Sequence, residues 1–170
     1  MSIIKGKRIS LEKFLKKHIQ KDYISFLKDK IHLRFSAQKN INYNYNKCLK
    51  YYNSFKKTDN LFLRIVLKDS KDLVGTLTCY IDKFNQNAEI GILIGSKFKN
   101  MNLGYDAYRT IIHYLFDRGI NKIMSGTVSE NKAMIKIMKK NGMKFEAKFK
   151  NHFKSGNRFF DIVYFSLFKK

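Results

Sequence analysis

The residues whose spacing bears most directly on chemistry lie in GSKFKNMNLGYDAY, residues 95–108. A β-rich run carrying Gly91 and Gly95 delivers the chain into a short loop, and Gly104 opens a helix. Free backbone N–H groups at a helix N-terminus, with the helix dipole behind them, bind an anion without a cationic side chain, and glycine lets a phosphate approach the backbone. Lys97 and Lys99 add positive charge nearby. Taken alone, one glycine before a helix is more often an ordinary turn. Other chemistries leave no trace: there is no GxxxxGK-Ser/Thr loop, no GxGxxG and no serine in GxSxG. His18, His32, His113 and His152 are scattered without HExxH spacing or a cysteine partner, so no metal is expected. Cys48 and Cys79 lack CxxC spacing and are expected as small core residues.

The elements that must position this loop follow from periodicity. Leu11, Phe14, Leu15, His18, Ile19, Tyr23, Phe26 and Leu27 recur at helical spacing and on that ground predict one helix over about 11–29, capped by Ser10. Tyr45, Cys48, Leu49, Tyr52 and Phe55 predict a second over 45–56. LFLRIVLK and DLVGTLTCYI read as a hairpin, and AEIGILIG as a third strand. A helix over 103–118 stops at Gly119, and a strand over 122–128 precedes a helix over 130–140. Residues 144–154 and 158–168 flank Ser155-Gly156-Asn157 as a final hairpin. SAQKNINYNYN, residues 36–46, is either a surface loop or an ordered lid.

At 170 residues and 44% hydrophobic, the chain is expected to form one domain over 1–170. Its 35 basic and 13 acidic residues leave +22, which suits an anionic partner. Lysine supplies 29 of those cations while proline and tryptophan are absent, a bias that adenine- and thymine-rich codons produce whatever the function. Nucleic acid is therefore not the favoured partner. No apolar run reaches the roughly 18 residues of a membrane span and no signal peptide is visible, so the expected location is the cytoplasm. The sequence does not fix an oligomeric state.

AEIGILIGSKFKNMNLGYDAY, VSENKAMIKIMKKNGMKFEAKF and SGNRFFDIVYFSL together resemble the GCN5-related N-acetyltransferase (GNAT) superfamily, in particular its branch acting on ribosomal-protein N-termini and amino sugars. KDYISFLKDK, residues 21–30, resembles that family's first helix through Tyr23, Phe26-Leu27 and Asp29. The resemblance implies an α+β fold in α/β/α layers, with a mixed, mostly antiparallel sheet of about seven strands, splayed at its centre, and about four helices. It also implies that 7–14 is a strand and that a helix begins near Lys17, in place of the single long helix.

For acetyl-CoA as donor, the resemblance implies that backbone groups of Ile92, Leu93 and Ile94 pair with the pantetheine arm. Amides around Asn102, Leu103, Gly104, Tyr105, Asp106 and Ala107 would hold the pyrophosphate, and Asn131 would contact the cofactor. Two positions depart from the family's loop pattern: Met101 replaces Gln or Arg, and Asp106 replaces Gly or Ala. A carboxylate there would repel a pyrophosphate unless it turns outward or caps the helix. Met134 and Met138 stand where relatives often place a hydroxyl that protonates the departing thiolate.

The implied reaction is attack of a neutral primary amine on the thioester, through an oxyanion stabilised by backbone N–H groups, without a covalent enzyme intermediate. Glu89, on the strand that presents the acetyl group, is the first candidate base, the alternative being a surface glutamate meeting a lysine. His152 is second, because an imidazole titrates near neutrality. Glu146 and Asp161 read as structural, Asp161 pairing with a lysine or a backbone amide. The expected acceptor is an amino sugar on a nucleotide diphosphate in surface-glycan biosynthesis. Tyr43, Tyr45, Tyr51 and Tyr52 either stack on its base or sugar or belong to the core. The alternatives are the N-terminus of a ribosomal protein as acceptor, or a noncatalytic RNA-associated module.

Overall fold

The computed structural model describes residues 3–29 and 33–170; His32 lies outside them. Its centre is an eight-stranded sheet: β1 (Ile4–Lys5), β2 (Ile9–Lys13), β3 (Leu61–Leu67), β4 (Leu73–Asp82), β5 (Asn87–Ile94), β6 (Lys122–Val128), β7 (Lys144–Ser155) and β8 (Arg158–Phe168). They lie in the order β1-β2-β3-β4-β5-β6-β8-β7, and every pairing is antiparallel except β5 with β6. The strand count is thus one above expectation, because two residues, Ile4 and Lys5, pair with Leu11 and Ser10 ahead of the anticipated first strand.

Among the described residues four α-helices cover the sheet: α1 (Lys21–Phe26), α2 (Tyr45–Asn53), α3 (Leu103–Asp117) and α4 (Lys132–Lys140). Strand alternation sorts the side chains. Leu11, Leu63, Ile65, Leu77, Cys79, Ala88, Ile90 and Ile123 face α3, whose Leu103, Ala107, Tyr108, Ile111 and Leu115 complete the larger core. The opposite face packs Phe62 against Phe14, Ile19, Tyr23, Leu27, Tyr43 and Cys48 beneath α1 and α2. Both cysteines are buried and free.

This second cluster explains why one long helix is not formed over 11–29. Phe14, Ile19, Tyr23 and Leu27 do share one buried face, but the chain delivers them from three local structures. Phe14 prolongs β2 by donating its amide to the Phe62 carbonyl at 2.9 Å. A 3-10 turn over Lys16–His18 follows, in which His18 Nδ1 accepts the Leu15 amide at 3.0 Å, and only then does α1 begin. Helical spacing in the sequence reflects a shared destination rather than a shared helix.

Two local devices place the central strands. The β3–β4 register shifts between Ile65 and Val66. Beside that shift Gly75 allows β5 to come close, since a Cβ there would lie 2.0 Å from the Leu93 carbonyl oxygen. On its other side β5 pairs with β6 only from Asn87↔Lys122 to Glu89↔Met124, after which the ladder ends and the strands diverge. Among the described residues no helix is long and apolar enough to cross a membrane.

Candidate active site

The divergence of β5 from β6 is held by a buried polar triad. Ser125 Oγ donates to the Ile90 carbonyl at 2.8 Å, and the Tyr108 hydroxyl, rising from α3, lies 2.6 Å from Ser125 Oγ and 3.1 Å from the same carbonyl. Tyr108 and Ser125 are fully or almost fully buried. Burial raises the tyrosine pKa, which keeps its hydroxyl a donor. The Ile90 carbonyl, which has left the β5–β6 ladder, thereby regains partners that a buried acceptor requires.

A cavity of about 1050 Å³ opens through this fork. Ile92, Leu93 and Ile94 form one wall, and Asn102, Leu103, Gly104 and Tyr105 form the end where α3 begins. Asn100 and Asn102 both adopt left-handed backbone, φ 62° and 59°, which turns the chain sharply before α3. The first bond of that helix runs from the Asp106 amide to the Asn102 carbonyl at 3.2 Å, so the amides of Leu103, Gly104 and Tyr105 precede the helical ladder. A Cβ on Gly104 would meet Ile137 Cδ1 of α4 at 2.9 Å, so this glycine also lets α4 pack against the start of α3.

Asp106 and Ala107 do not line the cavity. Ala107 is buried in the α3 core face. Asp106 turns to the far side of the helix, where its two oxygens accept the backbone amides of Lys7 at 3.0 Å and Arg8 at 2.6 Å. The repulsion expected from its position in the loop pattern is therefore relieved by geometry. Arg8 in turn donates to the Met101 carbonyl at 2.9 Å, tying the loop to the β1–β2 turn. Asn131 lines the cavity while capping α4: its Oδ1 accepts the Met134 amide at 3.3 Å and its Nδ2 donates to Thr127 Oγ1 at 3.0 Å. Met134 lines the cavity too, whereas Met138 is buried in the core.

On the face toward α1 and α2, Glu89 is not among the residues lining the cavity and, among the described residues, meets no lysine. Its Oε1 accepts the Tyr164 hydroxyl at 3.3 Å, and Tyr164 is the residue that lines the cavity. His152 also lines it, brought there by an irregularity in β7: between Phe149↔Ile162 and Phe153↔Phe160, β7 has two residues more than β8. Such bulges re-aim side chains. Asp161 pins this one, accepting the Asn151 amide at 2.9 Å and pairing with Lys148 at 2.7 Å, as the sequence reading anticipated. The Lys148 ammonium holds the Asp161 carboxyl below its usual range, and Lys122 does the same for Glu146.

Residues 34–38 close the remaining side. Lys39 bonds Ser155 Oγ at the tip of the β7–β8 hairpin and lies 5.2 Å above the Phe153 ring, so the 36–46 segment is anchored against that hairpin. Of the tyrosines in this region, Tyr51 lines the cavity, Tyr43 is core, Tyr52 packs against that core and Tyr45 is exposed. Among the described residues no group of three potential ligands could hold a metal. Tyr108, Ser125 and Tyr164 escape sequence reasoning because each meets its partner across at least 17 residues, with no local motif.

A forked sheet, a tight loop feeding three unladdered amides, and a long cavity joining them match the architecture expected of an N-acetyltransferase of the GNAT fold. Residues 8–144 match the Acetyltransferase (GNAT) domain family, and the chain belongs to it. This segment forms an acetyl-CoA-dependent N-acetyltransferase domain. The chain is similar to an uncharacterized N-acetyltransferase, YnaD, of Bacillus subtilis: 26% identity over 107 residues, 62% of this chain and 63% of that protein, so the match spans less than two thirds of the relative. In structure it is similar to RimL, a ribosomal L7/L12 α-N-protein acetyltransferase solved with coenzyme A (TM-score 0.89, 15% identity, 98% of both chains). It is likewise similar to the microcin C7 self-immunity acetyltransferase MccE solved with acetyl-CoA and AMP (TM-score 0.84, 18% identity, 96% and 94% of the chains).

Proposed function

We propose that this protein transfers an acetyl group from acetyl-CoA to a primary amine carried on an anionic molecule, of which a nucleotide-linked amino sugar is the leading case, with Glu89 as the base. The observation that carries the choice of acceptor is the charge of the cavity. Arg34 lines it beside Phe35; Lys99, Lys136 and Lys140 line it around the start of α3, and among the described residues no carboxylate lines it. A polycationic amine would meet cations in a confined, partly desolvated space, where like charges are costly. Phe35, Tyr51 and Phe153 offer ring surfaces beside Arg34 and His152, which suits a base or sugar attached to phosphate. MccE holds a nucleotide together with acetyl-CoA, so the fold admits that combination.

Acetyl-CoA supplies an activated thioester. The chain's own residues do the rest: amides at the start of α3 receive the pyrophosphate, the freed edge of β5 aligns the pantetheine arm, and Glu89 takes the amine proton. The test is release of CoA from acetyl-CoA in the presence of a UDP-linked amino sugar, a peptide with a free N-terminus, or spermidine. Turnover is expected with the sugar nucleotide; preferential turnover with spermidine refutes the anionic-acceptor reading, and preference for the peptide moves the acceptor to a protein N-terminus.

A further inference from the structure

We propose that the Tyr164 hydroxyl is the group through which Glu89 removes the proton from the acceptor amine. The inference rests on acetyl transfer with Glu89 as the base and adds a catalytic residue to it. Glu89 sits on β5 at the last rung before the fork, half-buried, with Tyr80 opposite it on β4 and Met124 on β6. It is not among the residues that line the cavity. Tyr164 belongs to β8, one strand beyond β6, and directly opposes Gly126. A Cβ on Gly126 would lie 2.6 Å from Tyr164 Cζ, so the missing side chain is what lets the ring lie across β6 and bring its hydroxyl to Glu89. Phe149 packs edge-on against the same ring at 5.6 Å and fixes its orientation.

The hydroxyl has one proton, and its bond to Glu89 Oε1 uses it. The oxygen's lone pairs remain to accept an N–H from an amine in the cavity. Proton loss then balances without an ionised tyrosine: the amine N–H bond breaks as a new O–H bond forms on Tyr164, while the original Tyr164 proton passes to the Glu89 carboxylate. The nitrogen keeps its electron pair for attack. Burial and the Glu89 charge both raise the Tyr164 pKa, so the hydroxyl is protonated before and after transfer. Of the other groups near this pair, the Tyr80 hydroxyl lies 3.4 Å from that of Tyr51, and His152 stands in the β7 irregularity as the competing base.

The test compares wild type, Tyr164→Phe, Glu89→Gln, the double variant and His152→Ala, reading CoA release with a UDP-linked amino sugar and with water alone as acceptor. Tyr164→Phe keeps the ring and its packing, so melting temperature and the KM for acetyl-CoA should stay within about twofold of wild type while kcat falls roughly 10²-fold. Because both groups serve one path, the double variant should be no slower than the slower single variant. Gly126→Ala, which displaces the ring, should lose kcat in the same way. Wild-type kcat in Tyr164→Phe, or losses that multiply in the double variant, overturns the relay, and a loss confined to His152→Ala reassigns the base. Where wild type turns over the peptide or spermidine instead, the same variants are read with that acceptor; no CoA release by wild type with the sugar nucleotide, the peptide, spermidine or water overturns the acetyl-transfer reading itself, and the relay with it.

Discussion

Asp106 shows how a residue that looks wrong in one dimension is satisfied in three. Read along the chain, a carboxylate stands in the loop that should receive a pyrophosphate. In the fold, its oxygens accept two amides from the β1–β2 turn, roughly a hundred residues away in sequence, and its charge also complements the positive end of α3. Hydrogen bonds to a charged acceptor contribute more than neutral ones, and without them two amides lose their partner. Asp106→Ala should therefore lower stability by roughly 1–3 kcal/mol. It should leave acetyl-CoA affinity equal to wild type or weaker, since the β1–β2 turn also carries Arg8, which holds the Met101 carbonyl. Thermal denaturation alongside calorimetric titration with acetyl-CoA checks both; tighter binding in the variant means that the carboxylate does repel the ligand.

At the scale of elements, the fork is the feature on which the site depends. Its three groups form a closed set: Ser125 bonds the Ile90 carbonyl, and Tyr108 is within reach of both. Ser125→Ala leaves Tyr108 to bond Ile90 directly, and Tyr108→Phe leaves Ser125 to do so. Each single change should then cost about 1 kcal/mol, whereas the double variant orphans a buried carbonyl and should cost at least 1 kcal/mol more than their sum. Chemical denaturation of the four proteins measures this, and simple additivity would remove the triad as the device holding the strands apart. The sequence makes β3 through β8 legible, because apolar runs bounded by turn residues mark all but the lysine-rich β7, which the Ser155-Gly156-Asn157 turn betrays, and the Gly119 and Asn141-Gly142 stops mark the ends of α3 and α4. What it hides are features with no period: the two-residue β1, the turn that breaks the N-terminal pattern, the extra residues that aim His152 inward, and the crossing of Tyr164 over Gly126. The fork was legible only through family resemblance, since the Ile90–Ser125 contact spans 35 positions.

For the molecule as a whole, the +22 charge admits two readings that differ in how they respond to salt. A lysine surface that exists for nucleic acid would act through many exposed contacts with phosphates. Each phosphate neutralised adds about 0.9 to the slope of log affinity against log salt, so six or more contacts lose roughly 10³-fold or more between 50 and 200 mM. Acetyl-CoA engages the protein differently. In the proposed binding mode its phosphates would meet backbone amides at the start of α3 and a few flanking cations, Lys99, Lys136 and Lys140, which line the cavity, while its pantetheine arm would lie along β5 inside the fork. Buried hydrogen bonds are screened far less than exposed charge pairs. Acetyl-CoA affinity is therefore expected to fall by less than about tenfold over the same range of salt, with any binding to single- or double-stranded nucleic acid disappearing. Titrations at the two ionic strengths decide the matter. Nucleic-acid binding that persists at 200 mM salt with affinity comparable to acetyl-CoA would mean that the basic surface is a working site rather than a by-product of lysine-rich composition.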